Sequence, residues 1–319
     1  MSLKTVETVR PDAALGAEIV VPGSVANLGG GFDTLGVAVE LYLRVRIVDV
    51  RDDGGSRLTV ARSVPAVSGG NAVERAFELV AERTGRRAPS VTVDVTSDIP
   101  MAAGLGSSAA ATVAALRVFE RVTGPLEDSE LLGAATKAEG HADNAAPALF
   151  GGLNSVIEVD GASPYSLRWA WPHDLKLVVA TPVVGLATAK ARAALPREVP
   201  RADAIFNMQR VLALVHALQQ GDYDRLREAV KDRLHQSARA SLVPLLSEAL
   251  ALEGPDVLGA FLSGAGPSVA VLARAGDTKV ATRLSSMYER AGVEATVRTL
   301  NVDDQGSRVL ESGAVRRSV

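Results

Sequence analysis

The chain of 319 residues contains no cysteine. That removes disulfides, thiolate metal sites and cysteine nucleophiles together, and it fits a reducing, cytoplasmic setting. Aromatic residues are scarce at 4%, so the core must be built from Ala, Val and Leu. The stacking platforms of single-stranded nucleic-acid binders are therefore missing. Acids and bases are interspersed and the net charge is −3, which leaves no basic footprint for nucleic acid. No run approaches the ~20 apolar residues of a membrane span. Residues 1–18 mix charges with Pro11 and hold no apolar segment, unlike a signal peptide. No internal repeat, low-complexity tract, GxxxxGK-Ser/Thr phosphate loop or GxSxG nucleophile elbow is present. The rest is ordinary, with 47% hydrophobic and 22% charged residues. Those values predict a soluble, compact intracellular protein of one large or two ordinary domains, with no nucleic-acid or membrane partner.

The stretch that stands out is DIPMAAGLGSSAAATV, Asp98 to Val113. A β-prone run, Val91 to Val95, leads into Pro100. Then come Gly104, Gly106, Ser107 and Ser108, followed by an Ala-rich run that favours helix. A strand, a glycine turn and a helix start together offer backbone N–H groups and a positive helix end to an anion. Ser107 and Ser108 would serve as helix caps or as ligands to a phosphate-bound Mg²⁺.

Elsewhere the pattern predicts a strand Glu18 to Val21 ending at Pro22, then a loop from Gly23 to Gly36 with five glycines. A strand alternates from Val37 to Ile47, and Arg57 to Arg62 reads as its return strand. Asn71 caps a helix Ala72 to Thr84 that Gly85 stops. Helices follow at Ser108 to Thr123 and Ser129 to Gly140, then strands at Leu153 to Val159 and Tyr165 to Trp171. Beyond Trp171 the pattern gives a strand Lys176 to Ala180 and a short helix Thr188 to Ala194. Helices follow at Arg201 to Gln220, Tyr223 to His235 and Val243 to Leu252. Two strands, Val257 to Leu262 and Val269 to Ala273, flank SGAGPS; a helix Thr278 to Ala291 and a strand Val293 to Leu300 close the pattern. This ending is of ferredoxin-like type, with a domain boundary expected at 165–175. The fold class is α+β in two halves. Residues 303–319 are polar and expected to fray.

Four constellations carry chemistry. Asn27 and Asp33 sit in the glycine-rich loop, as Asx-turn residues or as ligands for a substrate oxygen and ammonium. Glu139-Gly140-His141-Ala142-Asp143-Asn144 gathers polar groups at a helix end, where an acid such as Glu139 is disfavoured by the dipole. A hard cation held by that carboxylate, a serine hydroxyl and phosphate would explain it. The other three histidines, His173, His216 and His235, lack such company in sequence. Arg192 shares a helical face with Thr188, and Arg239 follows a helix carrying Asp232. Each arginine is either a solvated charge or half of a carboxylate clamp. SGAGPS is either a plain tight turn or a second glycine turn beside the first.

Taken together, PGSVANLGGGFDTLG (Pro22 to Gly36), IPMAAGLGSSAAA (Ile99 to Ala111), EGHADNAAPALFGG (Glu139 to Gly152) and SGAGPS (Ser263 to Ser268) resemble the GHMP kinase family, and within it the homoserine-phosphorylating branch. The resemblance implies a two-domain α+β fold divided as 1–170 and 171–319. The first half would be ribosomal-protein-S5-like with a left-handed βαβ unit, an uncommon hand, and the second ferredoxin-like. It implies ATP lying along Pro100, Gly104, Leu105, Gly106, Ser107 and Ser108, with Asn71 at the adenine and Mg²⁺ on Ser108 and Glu139. L-homoserine would be held by Asn27, Asp33, His141, Asp143 and Asn144, with Thr188, Arg192 and Arg239 at its carboxylate, giving O-phospho-L-homoserine for threonine biosynthesis. Asp143, Asn144 and Arg239 are then the candidates at the reacting centre, with no obvious general base among them. A homodimer is left open. The alternatives are another small-molecule kinase of the family, acting on a threonine-like, mevalonate-like or sugar substrate, or a silent nucleotide-binding protein on this fold. Two departures from the family pattern stand out. Gly30 occupies a proline position, which should loosen the loop, and Ala102-Ala103 replace the polar or basic residue of some relatives.

Overall fold

The computed structural model describes residues 11–66, 71–276 and 278–311. Two sheets organise the chain. The larger runs β11-β1-β2-β4-β3 with a β5-β6 hairpin attached to β2, and the smaller runs β10-β7-β9-β8. The first is built from β1 (Glu18–Ala26), β2 (Leu35–Arg51), β3 (Leu58–Val64), β4 (Ser90–Ser97), β5 (Leu153–Ile157), β6 (Tyr165–Trp169) and β11 (Arg308–Leu310). The second contains β7 (Leu175–Pro182), β8 (Gly259–Leu262), β9 (Val269–Arg274) and β10 (Ala295–Leu300), all antiparallel. In chain order its strands stand fourth, first, third, second, which is the ferredoxin-like arrangement. Among the described residues β3 and β4 form the one parallel pair, joined through α1 (Ala72–Thr84), so this is the βαβ unit.

Local sequence explains these elements. From Leu41 to Ile47 every second residue of β2 is buried, the alternation expected of a half-buried strand. Asn71 Oδ1 accepts from the Val73 N–H at 3.0 Å and Gly85 closes α1 at φ 61°, as the sequence predicts. The central helix α2 (Ser107–Thr123) buries eleven residues, five of them alanine. Small side chains let it lie close against β1 and α1, which is how a chain poor in aromatics packs its centre. Around it stand α3 (Asp128–Glu139) and α4 (Ala145–Phe150). The second half adds α5 (Thr188–Ala193), α6 (Arg201–Gln220), α7 (Leu226–Ala229), α8 (Gln236–Arg239), α9 (Leu246–Leu250) and α10 (Lys279–Arg290). One core runs through both halves, from Ile19 and Phe119 to Leu214, Leu226, Phe261 and Leu272. No described helix is long and apolar enough to cross a membrane.

Several expectations need correction. β1 runs on through Pro22 to Ala26, accommodating the proline at a register shift between Pro22 and Gly23. β3 is no return strand for β2, because it pairs with β4 instead. The helix expected over Tyr223 to His235 is broken. A 3₁₀ turn and α7 end at Ala229, and Asp232 sits in a loop as acceptor for the N–H groups of Leu234, His235 and Gln236. The helix expected over Val243 to Leu252 shrinks to Leu246–Leu250. The tail does not fray from residue 303: Asp303 is buried and β11 pairs with β1, so the chain returns to the first sheet. Residues 1–10 and 312–319, within the segments read as no signal peptide and as fraying, lie outside the described residues.

Candidate active site

Two glycine turns meet back to back. Ser263 Oγ donates to Gly104 O at 2.6 Å, and the Ser268 N–H donates to Ala103 O at 3.1 Å. Gly104 and Gly106 adopt φ 76° and 72°, open to glycine at little cost. A Cβ on Gly104 would stand 2.3 Å from Ser263 O, so nothing larger fits. SGAGPS is thus the second glycine turn beside the first.

The first turn delivers α2 end-on. Its N-cap is Gly106, no side chain caps it, and its first turn carries no acid. The capping role considered for Ser107 and Ser108 is therefore not realised. The orphan N–H groups and the positive helix end stay available to an anion. Leu105 turns its side chain into the core and gives its carbonyl to the Ser24 N–H at 3.1 Å. Ser108 Oγ donates to Glu139 Oε1 at 3.1 Å, and buried Thr112 donates to the same oxygen at 2.6 Å. One carboxylate and two hydroxyls, all hard oxygens, form a donor set of the kind Mg²⁺ takes. Sequence pairing found Ser108 and Glu139 but missed Thr112, one helical turn beyond Ser108.

The cleft before this loop is lined by Ala102, Gly104, Gly106, Ser107, Ser108, Glu139, His141, Asn144, Leu186, Thr188 and Gly264. A second, more apolar pocket of about 210 Å³ opens on the other side of Ser107 and Ser108, between Asn71, Val73, Val95 and Met101. Asn71 thus caps its helix and borders this pocket; Pro100 precedes the turn in the chain and is not among the residues lining either pocket.

In the wall of the cleft, His141 Nδ1 and Asp143 Oδ1 are 2.5 Å apart. The hydrogen bond to Asp143 holds the imidazole pKa above its ordinary value. Asn144 Nδ2 donates to the same oxygen at 3.1 Å. Carboxylate oxygens of Asp33 and Asp143 and a ring nitrogen of His141 lie within 4.8 Å of one another. Asp33 also holds a bidentate ion pair with Arg192, both contacts at 2.9 Å. The ammonium and carboxylate ligands expected on either side of a substrate are therefore each other's partners in this state.

Asn27 departs from the Asx-turn reading. Its Oδ1 accepts from the Asp33 N–H at 3.0 Å and its Nδ2 donates to Gly264 O at 2.9 Å, bracing the loop to SGAGPS. Asn27, Leu28 and Asp33 all take positive φ, a concentration of strain that a binding loop can hold only when its surroundings fix it. Gly30 does not loosen that loop. Its carbonyl accepts from Asn207 Nδ2 at 3.0 Å, and a Cβ there would come within 2.8 Å of Arg210 Cβ.

Arg239 is no surface charge, being 2% exposed. Nε donates to Ala191 O at 3.2 Å and Nη1 to Gly264 O at 3.1 Å, tying α5 to SGAGPS. Replacing it with alanine removes the guanidinium donor from buried Ala191 O and one of the two side-chain donors from Gly264 O. Arg239→Ala is expected to lower the unfolding free energy by about 2–4 kcal/mol in denaturant titration; an unchanged midpoint would contradict the bracing role. His235, isolated in sequence, proves central. It is fully buried, stacks 5.0 Å from the Phe32 ring, and its Nε2 lies 3.0 Å from Gly29 O. Burial pushes its pKa below the ordinary value. Only tertiary packing brings it to the loop; no local pattern marks it.

Known proteins share this fold. Residues 71–152 match the GHMP kinases N terminal domain and residues 214–290 the GHMP kinases C terminal. The chain is 42% identical to the homoserine kinase of Deinococcus radiodurans over 250 residues, 78% of this chain and 81% of that one. Against the homoserine kinase of Moorella thermoacetica it is 36% identical over 297 residues, 91% and 98% of the two chains. The crystal structure of homoserine kinase from Cytophaga hutchinsonii matches with a TM-score of 0.80 at 25% identity, covering 97% of this chain and 100% of that one. These likenesses run through both halves, and the chain belongs to the GHMP kinase family.

Proposed function

We propose that the protein transfers the γ-phosphoryl group of ATP to the side-chain hydroxyl of L-homoserine, giving O-phospho-L-homoserine and ADP in threonine biosynthesis. The observation that carries this reading is the pairing of Asp33 with Arg192 beside the uncapped N-terminus of α2, a cation and an anion ready for an amino acid's two charges. The relatives named homoserine kinase support the same acceptor.

In this reading the triphosphate lies on the N–H groups from Gly104 to Ser108, and the adenine enters the apolar pocket next to Asn71. Ser108 and Glu139, with Thr112 behind them, would hold Mg²⁺, which when bound neutralises phosphate charge. Asp33 receives the ammonium of homoserine and Arg192 its carboxylate, so the Asp33–Arg192 pair gives way to two substrate contacts. Arg239 braces this end, and Thr188, His141 and Asp143 border the acceptor. Asn144 faces the reacting oxygens. The acceptor oxygen bonds to the γ-phosphorus as the bond to the bridging oxygen breaks toward ADP, and the hydroxyl proton passes to a phosphoryl oxygen or water. Positioning and charge neutralisation suffice for such a transfer. The nucleotide side belongs to residues 1–170, while Thr188, Arg192 and Arg239 come from 171–319. A cytoplasmic location goes with this reading.

An ADP-release assay across homoserine, threonine, mevalonate and galactose tests it. Homoserine is expected to have a kcat/KM at least about 10²-fold above mevalonate and galactose, since a site built for an ammonium and a carboxylate rejects acceptors that lack one or both. Threonine carries both charges, so it is expected to lose only through its misplaced secondary hydroxyl and to fall between. Faster turnover of mevalonate or galactose would refute the substrate. Mg²⁺-ATP binding without turnover of any acceptor would point to a silent nucleotide-binding protein.

A further inference from the structure

Ser24 has no part in the assignments above, yet it sits where the two sides of the site join. It is fully buried in β1, and its Oγ donates to Asn144 Oδ1 at 2.9 Å. Its backbone N–H holds Leu105 O at 3.1 Å, and a Cβ on Gly106 would come within 2.1 Å of its hydroxyl. The hydroxyl is thus pressed against the phosphate-binding turn while it grips Asn144.

An amide side chain has one accepting and one donating end. The accepting end of Asn144 is committed to Ser24. One N–H of the donating end goes to Asp143 Oδ1, which also holds His141. What Asn144 retains for the cleft it lines is its second N–H, together with one lone pair of Oδ1 that lies against the Gly106 turn. The flipped amide would set Oδ1 against the buried Asp143 carboxylate, two acceptors face to face without a proton between them.

We propose that Ser24 is a positioning residue for phosphoryl transfer: the Asp143 carboxylate sets which end of the Asn144 amide is which, and the buried Ser24 hydroxyl pins its Oδ1 so that the remaining N–H is held toward the reacting oxygens. This rests on the reading that places Asn144 at the reacting centre. Asn144 then takes no proton from the acceptor hydroxyl; it donates a hydrogen bond while the new O–P bond forms, the γ-phosphorus–bridging-oxygen bond breaks toward ADP, and the proton leaves to a phosphoryl oxygen or water.

The test is a kinetic cycle on the full chain with Ser24→Ala, Ser24→Thr, Asn144→Ala and the Ser24→Ala/Asn144→Ala double variant. Ser24→Ala is expected to lower kcat about tenfold, the effect of one lost oriented hydrogen bond, with both KM values within about twofold of wild type. Ser24→Thr, which keeps the hydroxyl and suits a strand, is expected to recover most of that kcat. In the Asn144→Ala background, Ser24→Ala should change nothing further. Effects that multiply in the double variant would overturn the proposal. So would a raised KM for ATP with kcat intact, since Ser24 would then only support the phosphate turn. Wild-type kcat in Asn144→Ala would refute the reading of Asn144 and this proposal with it. If Ser24→Ala does not fold, Ser24→Cys, similar in size but a weak donor, carries the same comparison.

Discussion

Glu139→Ala is expected to lower kcat by about 10²- to 10³-fold, the size of effect seen when one charge-stabilising group is removed from a transfer site. Glu139 ends α3, where the helix dipole disfavours an acid. Its Oε1 gathers two hydroxyls, Ser108 at 3.1 Å and Thr112 at 2.6 Å, and neither of them neutralises it. A carboxylate kept there against the dipole is explained by a cation that shares it with phosphate. The variant should also need a higher Mg²⁺ concentration for half-maximal rate. Its unfolding free energy should fall by no more than about 1–3 kcal/mol, the cost of leaving buried Thr112 without this acceptor, because Glu139 itself is only partly buried. A Mg²⁺ dependence identical to wild type would remove Glu139 from the metal site.

Gly104→Ala is expected to destabilise the fold by about 3 kcal/mol or more and to raise the KM for ATP, through strain plus an overpacked contact. At φ 76° the new Cβ would meet Ser263 O at 2.3 Å and Gly266 N at 2.9 Å. Both are backbone atoms of the neighbouring turn and cannot swing aside as a side chain would. Gly140 provides the control. It has φ 77° but nothing within 4 Å of its Cβ position, so Gly140→Ala carries only the left-handed strain of about 1–2 kcal/mol. Denaturant titration of the pair separates the terms. Equal losses would mean that the two glycine turns can part freely.

The sequence by itself determined what local chemistry encodes. Asn71 and Gly85 mark the ends of α1 because a cap and a left-handed stop are short-range interactions. Alternation marks β2 because successive residues of a strand face opposite sides. Gly104, Gly106 and the alanines after Ser108 announce a turn into a helix for equally local reasons. So the glycine turn into a helix, the fold class and most elements could be read without coordinates. The break after Ala229 could not, because it follows from Asp232 capping a loop across Asn207 and three N–H groups.

Which groups stand opposite one another was decided only by tertiary structure. Ser24 and Asn144 are 120 residues apart, Asp33 and Arg192 are 159 apart, and Asn27 and Gly264 are 237 apart. No spacing rule reaches across such distances. His235 carries no signal in its neighbours, yet packing seals it against Phe32 and Gly29. Arg239 looks like a surface charge at a helix end, yet it is buried as a brace between α5 and SGAGPS. The physical reason is the same in each case: hydrogen bonds and burial between remote segments form only after the two sheets close over one core. The residue types of the site are therefore visible in the chain, whereas their partners are set by packing.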